Sequence, residues 1–427
     1  MARRIPPVRG VRLRCRERVP LDPVRSPERR RPPRGARFLA AAAGIVALAV
    51  LSFAGIEELQ DRVDAATPDR AVTASSTPSD AVTPVPPSPT HHTGARADRV
   101  RSVYANDGKG QFSPNVKGIP SLVYVPNTVD GTVDEIDPKT FRVVRELTVG
   151  GQPHHVTPSW NLRHLYVDNA GSDLLQVIDP RTGNLGRSIP VASPYNLYFT
   201  PDGSKAIVVA EYESLMEFRD PHTWRLLKQV SIPWPGVDHL DFSRTGRYLL
   251  VSCEYSGMVV RVDTRRMKVT GTVAVGGRWP ADIKVSPNGK VFFVANQGLG
   301  GVSVVDPVRM RQVNFIPTGT GAHGFAVSRN GKLLYVSNRL EGSISVISFA
   351  TRKVVATWSV GGSPDMLQVS PNGTQLWASN RFSDTVSVVS TRTGRLITTI
   401  TVGRGPHGLT FFPEPGRHSI GHNGVYR

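Results

Sequence analysis

Seven versions of one short apolar stretch, returning at an almost constant interval, leave this chain very few folds to choose from. Leu334-Tyr335-Val336-Ser337-Asn338 is the clearest version, and its relatives end at Asn127, Asn169, Glu211, Glu254, Asn296 and Asn380. The steps between these anchor positions are 42, 42, 43, 42, 42 and 42 residues. A period of about 40 residues built from strands and turns marks the blade of a β-propeller rather than a helical solenoid. Seven copies predict an all-β, seven-bladed propeller.

Each repeat carries the signals of four strands. After the anchor, a short loop leads to an alternating strand such as Gly342 to Ile347. An Asp-Pro or Thr-Arg turn follows, as at Asp137-Pro138, Asp179-Pro180, Asp220-Pro221, Asp306-Pro307 and Thr391-Arg392. Asp at the first and Pro at the second position of a turn suit the type I geometry. A third strand (Lys353 to Val360), a Gly-rich loop and a fourth strand (Met366 to Ser370) complete the unit. Asp202-Gly203, Asn288-Gly289, Asn330-Gly331 and Asn372-Gly373 then turn the chain into the next anchor strand. The first repeat starts at its anchor strand near Leu122, and the last apolar strand is Gly408 to Phe412. That strand is therefore expected to return as the innermost strand of the first blade, closing the ring and removing its open edges.

The Tyr-Val-x-Asn anchors, the Val-x-Val-Ile-Asp strands and the Ser-Pro-Asn-Gly turns resemble the YVTN β-propeller family, which includes bacterial YncE-like and surface-layer-type proteins. The resemblance covers residues from about 119 to 413. It implies the propeller fold, and an activity that ranges in that family from binding proteins to relatives of enzymes.

Upstream of the repeats the chain changes character. Residues 1–38 hold 13 Arg against Glu17, Asp22 and Glu28, so they carry +10 of the net charge of +18 and leave +8 for the rest. The Arg-rich residues 1–37 precede 38–56, a 19-residue run without a charge. That length suits a transmembrane signal-anchor, and it exceeds the apolar region of most cleavable signals. Positive charge stays cytoplasmic, so the expectation is a single-pass membrane protein with its propeller outside, or a secreted one if cleavage occurs near Ala54. Residues 57–118, rich in Pro, Ser and Thr, read as an extended linker, with His91-His92 as a solvated pair. Residues 414–427 read as a C-terminal tail whose His418 and His422 either fold back over the rim or, in the plainer reading, are solvated. Cys15 and Cys253 fall on opposite sides of the membrane in this topology and form no disulfide framework. Cys253, on an anchor strand, reads as a small buried hydrophobe, and the six Trp read as blade packing and turn cover.

The chemistry concentrates in the loop before each innermost strand. One column of the repeat holds His154, Tyr195, Asp238, Ala281, His323, Asp365 and His407, with His155, His239 and Asp282 one position further on. In a propeller these loops converge on one mouth of the central channel. With the closing blade counted first, His323, Asp365, His407 and His154 belong to blades 6, 7, 1 and 2, and Asp238 on blade 4 faces them. His154, His323, Asp365 and His407 form a candidate ligand set for a divalent transition metal such as Zn, Cu, Fe or Mn. The same groups suit acid–base work or anion binding. Polar side chains lining a wet channel are the plainer explanation.

Other motifs close off alternatives. Gly319 to Gly324 and Gly403 to Gly408 match GxGxxG, but a strand rather than a helix follows each, so neither is a dinucleotide fingerprint. No CxxCH occurs, which argues against covalent haem, and no HExxH or GxSxG either. The basic charge lacks the interleaved aromatics of a nucleic-acid surface. Three readings stay open: a binding or scaffold protein for a small-molecule or cell-surface protein ligand, a metal-dependent hydrolase, lactonase, lyase or oxidoreductase, and an interaction module using the outer blade edges.

Overall fold

A computed structural model of the chain describes residues 102–422. Twenty-eight strands form seven antiparallel four-stranded sheets, one per repeat. Blade 1 is made of Leu122–Asn127, Thr132–Asp137 and Arg142–Thr148, with Thr410–Phe412 as its innermost strand. The pairs Leu122 with Phe412, Val123 with Phe411 and Tyr124 with Thr410 join the two ends of the ring. Burial falls outward within a blade: the innermost strand Pro153–Pro158 of blade 2 is buried throughout, whereas Leu185–Pro190 at its outer edge is mostly exposed. The core is a series of slabs between neighbouring blades. In one, Ile207 and Phe218 of blade 3 meet Phe242, Val251 and Val260 of blade 4.

The recurrent Asn has a structural reason. Asn338 donates to Ser343 Oγ at 2.8 Å and Ser345 Oγ at 3.0 Å, and Asn380 repeats this with Thr385 and Ser387. In these blades, as with Asn127 and Thr132 in blade 1, the anchor amide locks the end of its strand to the next strand, whereas the Asn169 and Asn296 amides donate to backbone carbonyls. A Cβ on Gly362 would lie 2.8 Å from the Asn380 side chain, which explains the Gly-rich loop beside it. The turn after the second strand places a residue at positive φ, and Phe141, Trp224, Met267, Met310 and Arg352 all accept it. Trp160 and Trp358 lie against the turns of Gly203 and Gly394, as expected of turn cover, and Trp377 is fully buried. Trp234 and Trp279 depart from the packing expectation, being 36% and 38% exposed. Cys253 is buried and unpaired.

Two expectations need correction. Residues 102–118 are not extended linker: Val103 and Tyr104 are buried against Ile283, Val285 and Phe292, and Tyr104 donates to Val285 O at 2.6 Å. Val116 and Ile119 pack with Leu162 and Phe412. These apolar residues are too sparse to show a period, yet they suffice to cover the ends of the innermost strands. Nor is the C-terminal segment a solvated tail. Glu414 is buried with its carboxylate 2.6 Å from Arg329, Ile420 accepts from Phe199 N, and Ser419, Ile420 and His422 are buried. Phe112 and Gly416 pair across the two segments, which together close the end of the channel where the innermost strands finish. The basic tail, the apolar run 38–56 and His91-His92 lie outside the described residues. Among the described residues no helix is long and apolar enough to cross a membrane.

Closure makes the last strand the sensitive one. Phe412→Ala, at a fully buried position, is expected to destabilise the domain by about 3–5 kcal/mol. Val308→Ala, at a position 78% exposed, is expected to change it by less than about 0.5 kcal/mol. Truncation after Gly403 is expected to abolish cooperative unfolding altogether. Denaturant melts check all three, and a cooperative transition in the truncated chain would contradict the closure.

Candidate functional site

The innermost strands share an irregularity that aims their first residues inward. In blade 2 Pro153 pairs with Asn169 but Val156 pairs with Val167, so His154 and His155 together face the single residue Asp168. The same two-against-one bulge recurs in blades 4, 5, 6 and 7, at 238/239, 281/282, 323/324 and 365/366. Such a bulge bends the strand and re-aims its side chains. In blades 4, 6 and 7 the opposing residue is Ser252, Ser337 or Ser379, and its Oγ accepts the bulged N–H of His239, Gly324 or Met366. Ser337 and Ser379 also donate to the carbonyls of Asp365 and His407 on the next blade. In blades 2 and 4 both members of the bulge reach side chains of other blades or of each other: His154 approaches His407, His155 approaches His239, and Asp238 meets His239.

The column of expected site residues converges. His154, His155, Tyr195, Asp238, His239, His323, Asp365 and His407 are all at most 5% exposed. Asp365 is the hub of one cluster. Its carboxylate is 3.0 Å from His323 Nδ1, 3.5 Å from His407 Nε2, 3.9 Å from Arg381 Nη1 and in contact with Arg339 Nη2. His154 Nδ1 lies 3.3 Å from His407 Nδ1, and the Tyr195 ring packs on His154 and His155 with centroids 4.8 and 5.5 Å away. Opposite stands the pair Asp238–His239, with Oδ1 and Nδ1 2.5 Å apart. Asp282 serves a different purpose: it accepts from Ile283 N and Phe325 N, tying blade 5 to blade 6, and meets Lys284 at 3.5 Å.

His323, Asp365 and His407 place one ligand atom each within 4.8 Å of one another, as does a second group, His155, His239 and His422. In the first group both carboxylate oxygens of Asp365 already face a guanidinium. That donor set therefore suits an ion-pair cluster better than a metal centre, and His154 reaches it only through His407.

Sequence reasoning missed three parts of the site. Arg339 and Arg381 follow the anchors Asn338 and Asn380 by one position, and the 42-residue period that aligned the histidines would have aligned them too. Glu211 and Glu254 replace the anchor Asn. Glu211 accepts from Tyr255 Oη at 2.6 Å and Glu254 from Gln297 Nε2 at 2.7 Å. Burial, then the Glu254 and Asp238 charges, raise Glu211 well above the usual carboxylate range, and burial with Asp238 raises Glu254 to about 7. His422 lies outside the repeat, so no period could reveal it. Two surface hollows, of about 550 and 430 Å³, lie beside Asn115 and Arg181 and beside Phe112 and Gly416.

Burial sets the protonation of the rings. It lowers His154 to about 3, with Arg381 adding to the effect, and holds His155, His323, His407 and His422 well below the usual imidazole value. His239 is the exception: burial opposes its charge, but Asp238 and then Asp282 outweigh it and raise its pKa. An unfolded imidazole titrates near 6.5, so below that pH the unfolded chain binds protons that the depressed native rings refuse, and stability falls. For a ring as depressed as His154 the loss at pH 5 is about 2 kcal/mol. The raised carboxyls Glu211 and Glu254 act oppositely, contributing stability at low pH that is lost as pH rises through their folded values. The clean observable is thus a difference. Taken from pH 7.5 to 5.0 without metal, the His154→Gln/His407→Gln variant is expected to lose less stability than the parent chain. Identical pH dependence in calorimetry would contradict the assignment.

The comparisons with known proteins agree with this architecture. No curated protein matches the chain in sequence. Among solved structures, a functionally unknown protein from Desulfotomaculum acetoxidans aligns with a TM-score of 0.60 at 17% identity, covering 68% of this chain and 98% of that one. Hydrazine synthase of Kuenenia stuttgartiensis aligns with a TM-score of 0.53 at 18% identity, covering 59% and 87%. The dihydro-heme d1 dehydrogenase NirN in complex with DHE aligns with a TM-score of 0.52 at 14% identity, covering 71% and 77%. Identities this low share the fold and carry no activity across. A sequence model of the YNCE-like beta-propeller matches residues 112–415, a span that takes in all seven blades, the closing strand and the start of the C-terminal segment. The chain belongs to the YncE-like β-propeller family.

Proposed function

We propose that this protein is an extracytoplasmic binding propeller whose channel mouth receives a small anionic ligand. The observation that carries this reading is the crowd of donors around Asp365. One carboxylate gathers two guanidiniums and two imidazoles from three adjoining blades, so one positive charge is left uncompensated. Arg339 and Arg381 keep 13% and 22% of their side chains exposed, whereas Asp365 is fully buried beneath them. Guanidiniums held by a buried acceptor are pre-oriented, and their remaining N–H groups match a carboxylate or phosphate. The Arg339 guanidinium also lies 5.7 Å from the Phe382 ring centroid, which limits its rotamers. Glu211, whose carboxyl is raised well above the usual carboxylate range by burial and by the Glu254 and Asp238 charges, supplies a further donor.

The Arg-rich residues 1–37 and the apolar residues 38–56 complete the proposal as a single-pass membrane anchor, with residues 57–101 as tether. A metal-dependent or acid–base enzyme is the second reading, and it rests on the buried Asp238–His239 pair, whose 2.5 Å separation suits a ring that holds or passes a proton.

Calorimetric titration with inorganic phosphate and with citrate tests the binding site. Each charged hydrogen bond contributes about 1.5–3 kcal/mol, so Arg339→Ala and Arg381→Ala are each expected to weaken binding about 10- to 100-fold. Equal affinity in the variants, or no binding of either probe, would move the function to the outer blade edges. For the anchor, the full chain is expected to stay with membranes through an alkaline carbonate wash, and its release would contradict anchoring.

A further inference from the structure

We propose that His155, His239 and His422 form a site for a late first-row divalent cation, Cu²⁺ or Zn²⁺, distinct from the Asp365 cluster and completed by the C-terminal segment. Three observations carry this. The three rings come from blade 2, blade 4 and the segment entering from the closed end, and they meet with centroids 4.0, 5.0 and 5.3 Å apart. They are 0–2% exposed. Both ring nitrogens of His155, both of His422 and Nε2 of His239 have no hydrogen-bond partner. Leaving buried polar atoms unsatisfied in one place is costly, and a cation taking the single lone pair that each neutral ring offers satisfies one nitrogen of each of the three.

The surroundings fit the same occupant. Asp238 takes Nδ1 of His239 at 2.5 Å, leaving Nε2 for a metal, which is the carboxylate–imidazole arrangement that orients metal-ligating histidines. Room for the His155 ring is built into the backbone, since a Cβ on Gly408 would lie 2.1 Å from its Nδ1. Gly421 is placed similarly, 2.4 Å from the Tyr198 ring, which packs on His422 with centroids 5.5 Å apart. The nearby like charge, Lys284, is held on Asp282 at 3.5 Å, so Asp238 and Asp282 outweigh it. An all-imidazole set without thiolate suits Cu²⁺ and Zn²⁺ and gives the hard cations Ca²⁺ and Mg²⁺ nothing they favour.

The full chain, purified in detergent without an affinity tag and stripped with chelator, is titrated separately with Cu²⁺ and Zn²⁺. Stoichiometry is read by mass spectrometry, and the Cu²⁺ form by its nitrogen hyperfine pattern in electron paramagnetic resonance. The expected result is one tight equivalent per chain, with several imidazole nitrogens on copper. His422→Gln and His155→Gln are each expected to weaken it at least about 10- to 100-fold, the loss that follows even from removing an outer partner of a ligand. The exposed His222→Gln serves as the control for stray surface binding. Asp238→Asn adds a variant that keeps all three rings and is expected to weaken binding by a similar factor. Retention of the tight equivalent in both ligand variants, or its absence from the parent chain with either ion, overturns the proposal. Because phosphate and citrate binding are read without metal, this site and the anion site fail independently.

Discussion

The ring holds because Thr410–Phe412 pairs with Leu122–Asn127, and every other feature of the molecule depends on that closure. A propeller blade buries its faces only against its neighbours, so an open ring would expose two sheet faces and leave one blade a strand short. Side chains reinforce the circle from blade to blade. Asp241 accepts from Val285 N, Asp282 from Phe325 N and Gln368 from Phe411 N, while Thr410 donates to Val156 O. These bonds fix the innermost strands in register, and only strands in fixed register can aim side chains from different blades at one point.

The bulge at the start of the innermost strands converts this scaffold into a site. Without it, alternation would turn one of each pair His154/His155 or Asp238/His239 toward the interblade core. With it, both enter the channel, and the opposing serine meets the backbone N–H that the bulge releases. The result is a buried, crowded centre with two unlike halves. Around Asp365 one buried carboxylate faces two partly exposed guanidiniums. Around His155, the rings of His155 and His422 are held uncharged by burial and their nitrogens have no partner, while His239 leans on Asp238. Burial explains both: a charge there needs a partner, and a ring without one gives up its proton.

Much of this was legible in the residues. The interval between Asn127 and Asn380 specified the blade number, the closure and the column of His154, Asp238, His323, Asp365 and His407. The two-residue bulge was not legible, because it depends on how a strand meets its neighbour rather than on its own pattern. Arg339 and Arg381 were readable in principle, one step past the anchors, but nothing in the pattern says that both side chains turn onto Asp365. His422 and Tyr104 carry no period, and their burial comes from tertiary packing of short segments with a few apolar residues. The Asp365 triad meets in space as its spacing suggests, and what no spacing announced is the pair of guanidiniums beside the carboxylate.

The chain's own C-terminal segment is buried and delivers His422 to the rings of blades 2 and 4. Amide hydrogen exchange over residues 416–422, followed by mass spectrometry, tests it most directly. Protection comparable to that of the innermost strand Pro153–Pro158, in the parent chain and without added metal, is the predicted result. Exchange as fast as that of an unstructured peptide would contradict it, because a segment free in solvent cannot hold His422 among the channel histidines.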